Sequence, residues 1–221
     1  MFDAVIFDCD GVLVDSEVLA LEVELGALQE IGLSYEEEDF KARFMGMSTP
    51  AFYDALEADH HARLGSGLPA GFRELCNGRY RDSWHRLTEV PGARAAIAGL
   101  AQPKAVASSS GSDALTRKLK LTDLWSHFAP HIYSSDHVAH AKPAPDLFLH
   151  AAEALRVAPE RCLVFEDSGN GVRAGRAAGM TVWAFMGGGH MNEATGARLM
   201  AAGAERLVRD WQEAGALLSA I

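Results

Sequence analysis

Residues 4–15 read Ala-Val-Ile-Phe-Asp-Cys-Asp-Gly-Val-Leu-Val-Asp, an apolar run that passes without a break into Asp8 and Asp10, with Gly11 directly behind them. A short apolar stretch without polar alternation is the pattern of a strand covered on both faces, as in a parallel sheet packed between helices. The pattern returns at residues 105–107 and 162–165, in more mixed form at 181–185, and as a shorter candidate at 131–134. Helical periodicity fills the intervals 91–100, 114–121, 145–155 and 171–178; in the third, Phe148, Ala151, Ala152 and Leu155 share one stripe. Alternation of this kind specifies an α/β core.

One interval is out of proportion. Residues 9–103 separate the first strand from the second, whereas a crossover between parallel strands needs only about a dozen residues. Within it Val18, Leu21, Leu25 and Leu28 recur at helical spacing, and residues 51–56 and 72–84 also read as helix. Residues 64–71, rich in Gly and Pro, read as a loop. The expectation is a core domain of residues 1–14 and 88–221, with a helical domain of residues 15–87 inserted between them.

The chain has 221 residues, 48% of them apolar and 23% charged, which excludes disordered and collagen-like classes. A net charge of −10 opposes nonspecific attraction to nucleic acid or an anionic membrane. Cys9, Cys76 and Cys162 form no C-x-x-C pair, so neither a disulfide framework nor a cysteine zinc site is indicated and a reducing cytoplasm fits. No apolar stretch approaches the ~18 residues of a membrane helix, and the start MFDAVIFD lacks the features of a signal peptide. A mature, soluble, cytoplasmic protein is expected, with nothing to fix its oligomeric state and a monomer compatible.

Three predicted strands end in polar residues: Phe7 gives way to Asp8, Ala107 to Ser108, and Phe165 to Glu166 and Asp167. The carboxyl ends of parallel strands share one edge, where ligands bind, so these groups should converge. Asp8, Asp10, Glu166 and Asp167 would then crowd four carboxylates into one crevice, a repulsion that a cation relieves. The candidate ligands are all oxygens, which favours Mg²⁺, an ion that binds substrate phosphate alongside carboxylates. Lys142, in the loop AKPAPD, adds a positive charge, and Ser108 can hydrogen-bond a phosphoryl oxygen. Residues i and i+2 at a strand end project to one side, so one of the Asp8/Asp10 pair can attack phosphorus while the other, provided its pKa is raised, protonates the leaving alcohol and later takes a proton from water.

FDCDGVLVDSE, VASSS, AKPAPD and VFEDSGNGV resemble the four ordered motifs of the haloacid dehalogenase superfamily, over nearly the whole chain. The likeness is greatest to its β-phosphoglucomutase-like branch and the sugar-phosphate phosphatases there, 6-phosphogluconate phosphatases included. It implies a three-layer, Rossmann-like sheet with a mobile helical cap, and Asp8 as nucleophile with Asp10 as general acid/base. It further implies phosphate or substrate contacts from Gly11, Ser108, Ser109 and Lys142. Mg²⁺ would be held by Asp8, Asp167 and the Asp10 carbonyl, with Glu166 supporting the shell. Related mutases carry a histidine where Ala20 stands and an arginine where Thr49 follows Gly46, Met47 and Ser48, so phosphatase is favoured over phosphomutase. Asp10 is absent from haloacid dehalogenases proper and argues for phosphoryl transfer. A non-catalytic phosphate- or nucleotide-binding module is the reading of another class, and it leaves the acidic pair unexplained.

In the cap, Arg43 and Ser48, with Arg79, Arg81 and His85, are candidates to contact a small phosphorylated metabolite. Gly171, Gly175 and Gly179 recur every four residues behind two acids, which fits a helix packed closely on the sheet better than a dinucleotide loop. His137 and His140 lack a third zinc ligand at suitable spacing. Gly187–Gly189 reads as a flexible loop that borders the crevice, and Cys9 as a packed residue.

Overall fold

The structure, a computed structural model, describes residues 2–44, 47 and 49–219. Strand β1 (Ala4–Phe7) is followed by helices α1 (Ser16–Glu30), α2 (Glu37–Phe44), α3 (Thr49–Leu64) and α4 (Phe72–Asp82). The chain continues through α5 (Ala93–Gly99), β2 (Lys104–Ser108), α6 (Ser112–Leu121), α7 (Trp125–Phe128), β3 (Ile132–Ser134) and α8 (Asp146–Leu155). It ends with β4 (Cys162–Glu166), α9 (Gly169–Ala177), β5 (Thr181–Phe185), α10 (Glu193–Ala201), β6 (Arg206–Val208) and α11 (Trp211–Ser219). Two compact units result, one from Met1–Ser16 with Leu87–Ile221, the other from Glu17–Arg86.

In the first unit the strands form a parallel sheet of order β3-β2-β1-β4-β5-β6. The chain builds outward from β1 on one side, then returns to place β4 on the other, so the connections diverge between β1 and β4. The crevice that such a divergence opens lies beyond the carboxyl ends of the strands. Every residue of β1 is fully buried because both faces are covered. On one face Ala4, Ile6, Ala105, Ala107, Val164 and Val182 pack against Leu147, Phe148 and Ala151 of α8 and Val172 and Ala174 of α9. A Cβ on Gly175 would stand 2.6 Å from a Val182 methyl, so its absence lets α9 lie close to the sheet. On the other face Trp211 of α11 meets Phe7, Phe165 and Phe185 at centroid distances of 5.7, 5.4 and 4.7 Å.

The second unit is helical. Its core is Leu21, Ala27, Leu28, Leu33, Phe40, Phe44, Leu56, Phe72 and Cys76. Val18, expected on the inward stripe of α1, is 38% exposed, while the neighbouring Leu19 is buried. Helix α2 escapes the periodicity analysis because it is short and highly charged, with Phe40 and Phe44 as its buried anchors. Strand β6 escapes it because it is a three-residue edge strand whose Arg206 and Leu207 are exposed. Among the described residues no helix is long and apolar enough to cross a membrane.

Candidate functional site

The first motif leaves the sheet at Asp8, whose backbone N–H still donates to the Phe165 carbonyl at 3.0 Å, as if β1 ran one residue further. The chain then turns sharply: Leu13 and Val14 both donate to the Cys9 carbonyl, and Gly11 donates to Val14. Gly11 takes φ +73°, a left-handed conformation open to glycine at little cost, and a Cβ there would collide with the Asp167 carboxyl group. The turn is thereby pressed against the end of β4.

Lys142 is the hub of the site. Its almost fully buried Nζ donates to Asp8 Oδ1 at 2.7 Å, to Glu166 Oε1 at 2.5 Å and to the Ala107 carbonyl at 2.8 Å, so it ties together the ends of β1, β2 and β4. The same Nζ lies 4.7 Å from the centre of the Phe148 ring. Burial by itself would lower the Lys142 pKa, but the Asp8 and Glu166 carboxylates outweigh it and hold the ammonium charged. Asp8 responds the other way: burial pushes its carboxyl well up, Lys142 opposes that, and Glu166, Asp167 and Asp10 add to it.

Asp10 occupies a separate cradle. Oδ1 accepts from Ser16 Oγ and Lys118 Nζ, each at 2.5 Å, and Oδ2 accepts from Ser110 Oγ at 2.8 Å. Burial would raise its pKa, yet the Lys118 charge and these three hydrogen bonds win and hold it below the usual carboxylate range, opposite to the raised value expected of the proton donor, because buried cationic and hydroxyl donors favour the ionised form. Asp167 Oδ2 lies 3.1 Å from Nε2 of buried His190, on the loop after β5. Glu166 turns its second oxygen to the start of α9, accepting from Ser168 N at 3.1 Å and Ser168 Oγ at 2.9 Å. Gly171 allows this, because a side chain there would overlap the Glu166 carboxyl group.

The structure therefore brings Asp8, Asp10, Lys142, Glu166 and Asp167 to one rim. Ser108 is buried beside them, and its Oγ accepts from Ser110 N at 3.0 Å, while Ser109 is exposed. In the helical unit Arg43 is paired with Asp59 and lies 5.0 Å from the centre of the Phe44 ring, and Arg79 forks onto Glu30 with two bonds of 2.8 Å. His85 Nδ1 is 2.8 Å from the Asp82 carbonyl, and Arg81 is exposed. Ser48 lies outside the described residues.

Sequence reasoning missed Lys118, His190, Ser16 and Ser110. A lysine between Leu115 and Leu119 on the buried stripe of α6 was the available signal for Lys118. Ser16 and Ser110 lie inside the motifs FDCDGVLVDSE and VASSS, which was their signal, while His190 carried none, since a histidine in a loop is an ordinary residue.

Asp8, Glu166 and Asp167 offer carboxylate oxygens all within 4.8 Å of one another. Such an all-oxygen set suits a hard divalent cation rather than zinc or copper. Both Glu166 oxygens already accept hydrogen bonds, from Lys142 and from Ser168, whereas Lys142 takes only Oδ1 of Asp8, so Asp8 and Asp167 are the members best placed to hold one.

The family profile of haloacid dehalogenase-like hydrolases matches residues 2–179. The chain is 30% identical over 188 residues to 6-phosphogluconate phosphatase of Escherichia coli K12, covering 85% of this chain and 84% of that protein. It is 33% identical over 185 residues to the phosphorylated carbohydrates phosphatase of Thermotoga maritima, covering 80% and 82%. A conserved haloacid dehalogenase-like protein from Agrobacterium tumefaciens superposes with a TM-score of 0.90 at 37% identity, covering 100% of this chain and 99% of that one. Profile, relatives and fold agree with an acidic rim at the carboxyl ends of β1 and β4, and the chain belongs to the haloacid dehalogenase-like hydrolases, among which it is a phosphoric monoester hydrolase.

Proposed function

We propose that the protein is a Mg²⁺-dependent cytoplasmic phosphatase that hydrolyses a small phosphorylated metabolite, a sugar phosphate, through an aspartyl-phosphate intermediate. The observation that carries this reading is the pair Asp8 and Asp10, two residues apart, each hydrogen-bonded to a different buried lysine. The phosphatases of E. coli and T. maritima that the chain resembles support the sugar-phosphate class.

An Asp8 oxygen attacks phosphorus, the bond from phosphorus to the leaving oxygen breaks with its electron pair on that oxygen, and Asp10, which must first take up a proton against the pull of Lys118, delivers that proton to make an alcohol. Water then attacks the aspartyl phosphate, giving up its proton to Asp10 and releasing inorganic phosphate and free Asp8. Lys142 keeps the Asp8 carboxylate oriented, and Ser108 and Ser109, at and just beyond the end of β2, would donate to phosphoryl oxygens, with Gly11 leaving room beside Asp167. A Mg²⁺ held by Asp8 and Asp167, with the Asp10 carbonyl as a further ligand and Glu166 behind them, would supply charge neutralisation for the phosphoryl group. Ala20 and Thr49 stand where related mutases carry histidine and arginine, which favours water over a sugar hydroxyl as acceptor.

The test is inorganic phosphate release across a panel of phosphorylated metabolites, 6-phosphogluconate and hexose phosphates included. Release should require Mg²⁺, vanish with EDTA, and fall by at least ~10³-fold in Asp8→Asn with an unchanged circular dichroism spectrum. Full turnover in that variant refutes the proposal, and isomerisation of a hexose 1-phosphate without phosphate release would make the enzyme a mutase.

A further inference from the structure

Lys118 is a buried ammonium carried on a helix face whose other inward residues, Leu115 and Leu119, are apolar. Placing a charge there is unfavourable unless a partner of opposite sign meets it, and Asp10 Oδ1 does so at 2.5 Å. The same Nζ donates to Ser110 Oγ at 3.2 Å, and that hydroxyl in turn holds Asp10 Oδ2. Both oxygens of Asp10 are therefore fixed by donors from three segments: the start of α1, the loop after β2, and the interior of α6. Helix α6 is itself secured at its first turn, where Ser112 N donates to Asp136 Oδ2 at 2.7 Å and Ser112 Oγ lies 2.6 Å from Ser134 Oγ. The rim thus has two lysines with divided work, Lys142 on Asp8 and Glu166, Lys118 on Asp10.

We infer that Lys118 is a positioning residue for proton delivery, fixing the Asp10 carboxyl group relative to the leaving-group oxygen. This rests on the role proposed above for Asp10. Its consequence depends on the leaving group: an alkoxide of a sugar needs a proton as the bond to phosphorus breaks, whereas 4-nitrophenolate departs without one.

The experiment compares kcat/KM for a sugar phosphate and for 4-nitrophenyl phosphate in Lys118→Met, Lys118→Arg and Asp10→Asn. Lys118→Met should lose about 10²-fold on the sugar phosphate and less than about threefold on the aryl ester, and Lys118→Arg, which keeps charge and donors, should recover most of the loss. Equal losses on both esters, the mark of a packing defect, overturn the inference, as does an undiminished rate on the sugar phosphate. If Asp10→Asn shows the leaving-group dependence and Lys118→Met does not, Lys118 has no such role. If Asp10→Asn itself lacks that dependence, the acid role of Asp10 fails instead. Should Lys118→Met not fold, Lys118→Gln carries the same expectations.

Discussion

Glu24, on α1, is half-buried, and that burial, reinforced by the Glu17 charge, raises its carboxyl to about 8. A carboxyl whose folded pKa lies above its unfolded value binds its proton more tightly in the folded state. Its contribution to stability is therefore fully present below about pH 4.5 and is lost as the pH rises through about 8. Glu24→Gln, neutral at every pH, should remove that loss: the Tm at pH 9 rises by roughly 5 °C over the parent while the two proteins converge near pH 4. Thermal scans at both pH values check it, and a Tm difference that does not change with pH would refute the burial argument. The rim carboxylates show the same physics in opposition, since Asp8 is driven up by burial and Asp10, with three donors, is held down.

Helix α9 shows how an element and the site share one residue. Ser168 accepts from Gly171 N at 3.0 Å, the bond of a helix N-cap, and its hydroxyl donates to Glu166 Oε2 at 2.9 Å. Removing such a cap costs about 1 kcal/mol, or roughly 3 °C in Tm for a domain of this size. Ser168→Ala should show that loss together with a several-fold fall in kcat, because Glu166, and through it Lys142, loses a restraint. Unchanged kcat with the expected Tm shift would separate the cap from the site.

At the scale of the whole molecule, the α/β unit is held across one face of the sheet by Trp211. It is buried among Phe7, Phe165 and Phe185, and its indole N–H donates to the Val12 carbonyl at 3.1 Å, in the turn that carries Asp10 and Gly11. Trp211→Phe keeps most of the aromatic packing but leaves a void and an unpaired carbonyl, at a cost of roughly 2–3 kcal/mol. Urea unfolding should show a lower midpoint with an unchanged slope; an unaltered midpoint would mean that the turn does not depend on this bond.

Sheet, strand ends and acidic motifs were legible in the amino-acid sequence because each is a local pattern: an unbroken apolar run is a covered strand, and polar residues at its end face the crevice that parallel order creates. Asp8, Glu166 and Asp167 announce themselves in this way, whereas Lys142, 134 positions after Asp8, sits in a loop and was legible only through the motif AKPAPD. Edge strand β6 and charged helix α2 were not legible, because exposure removes the hydrophobic signal on which periodicity depends. Only tertiary structure decided which lysine meets which aspartate. Lys118 and Asp10 are 108 positions apart, and their encounter follows from how α6 leaves β2 and from the hydrogen bonds that start that helix, not from any property of either residue. Local sequence determines what a segment can become, whereas the pairing of buried charges is set by the packing of segments that carry no record of one another.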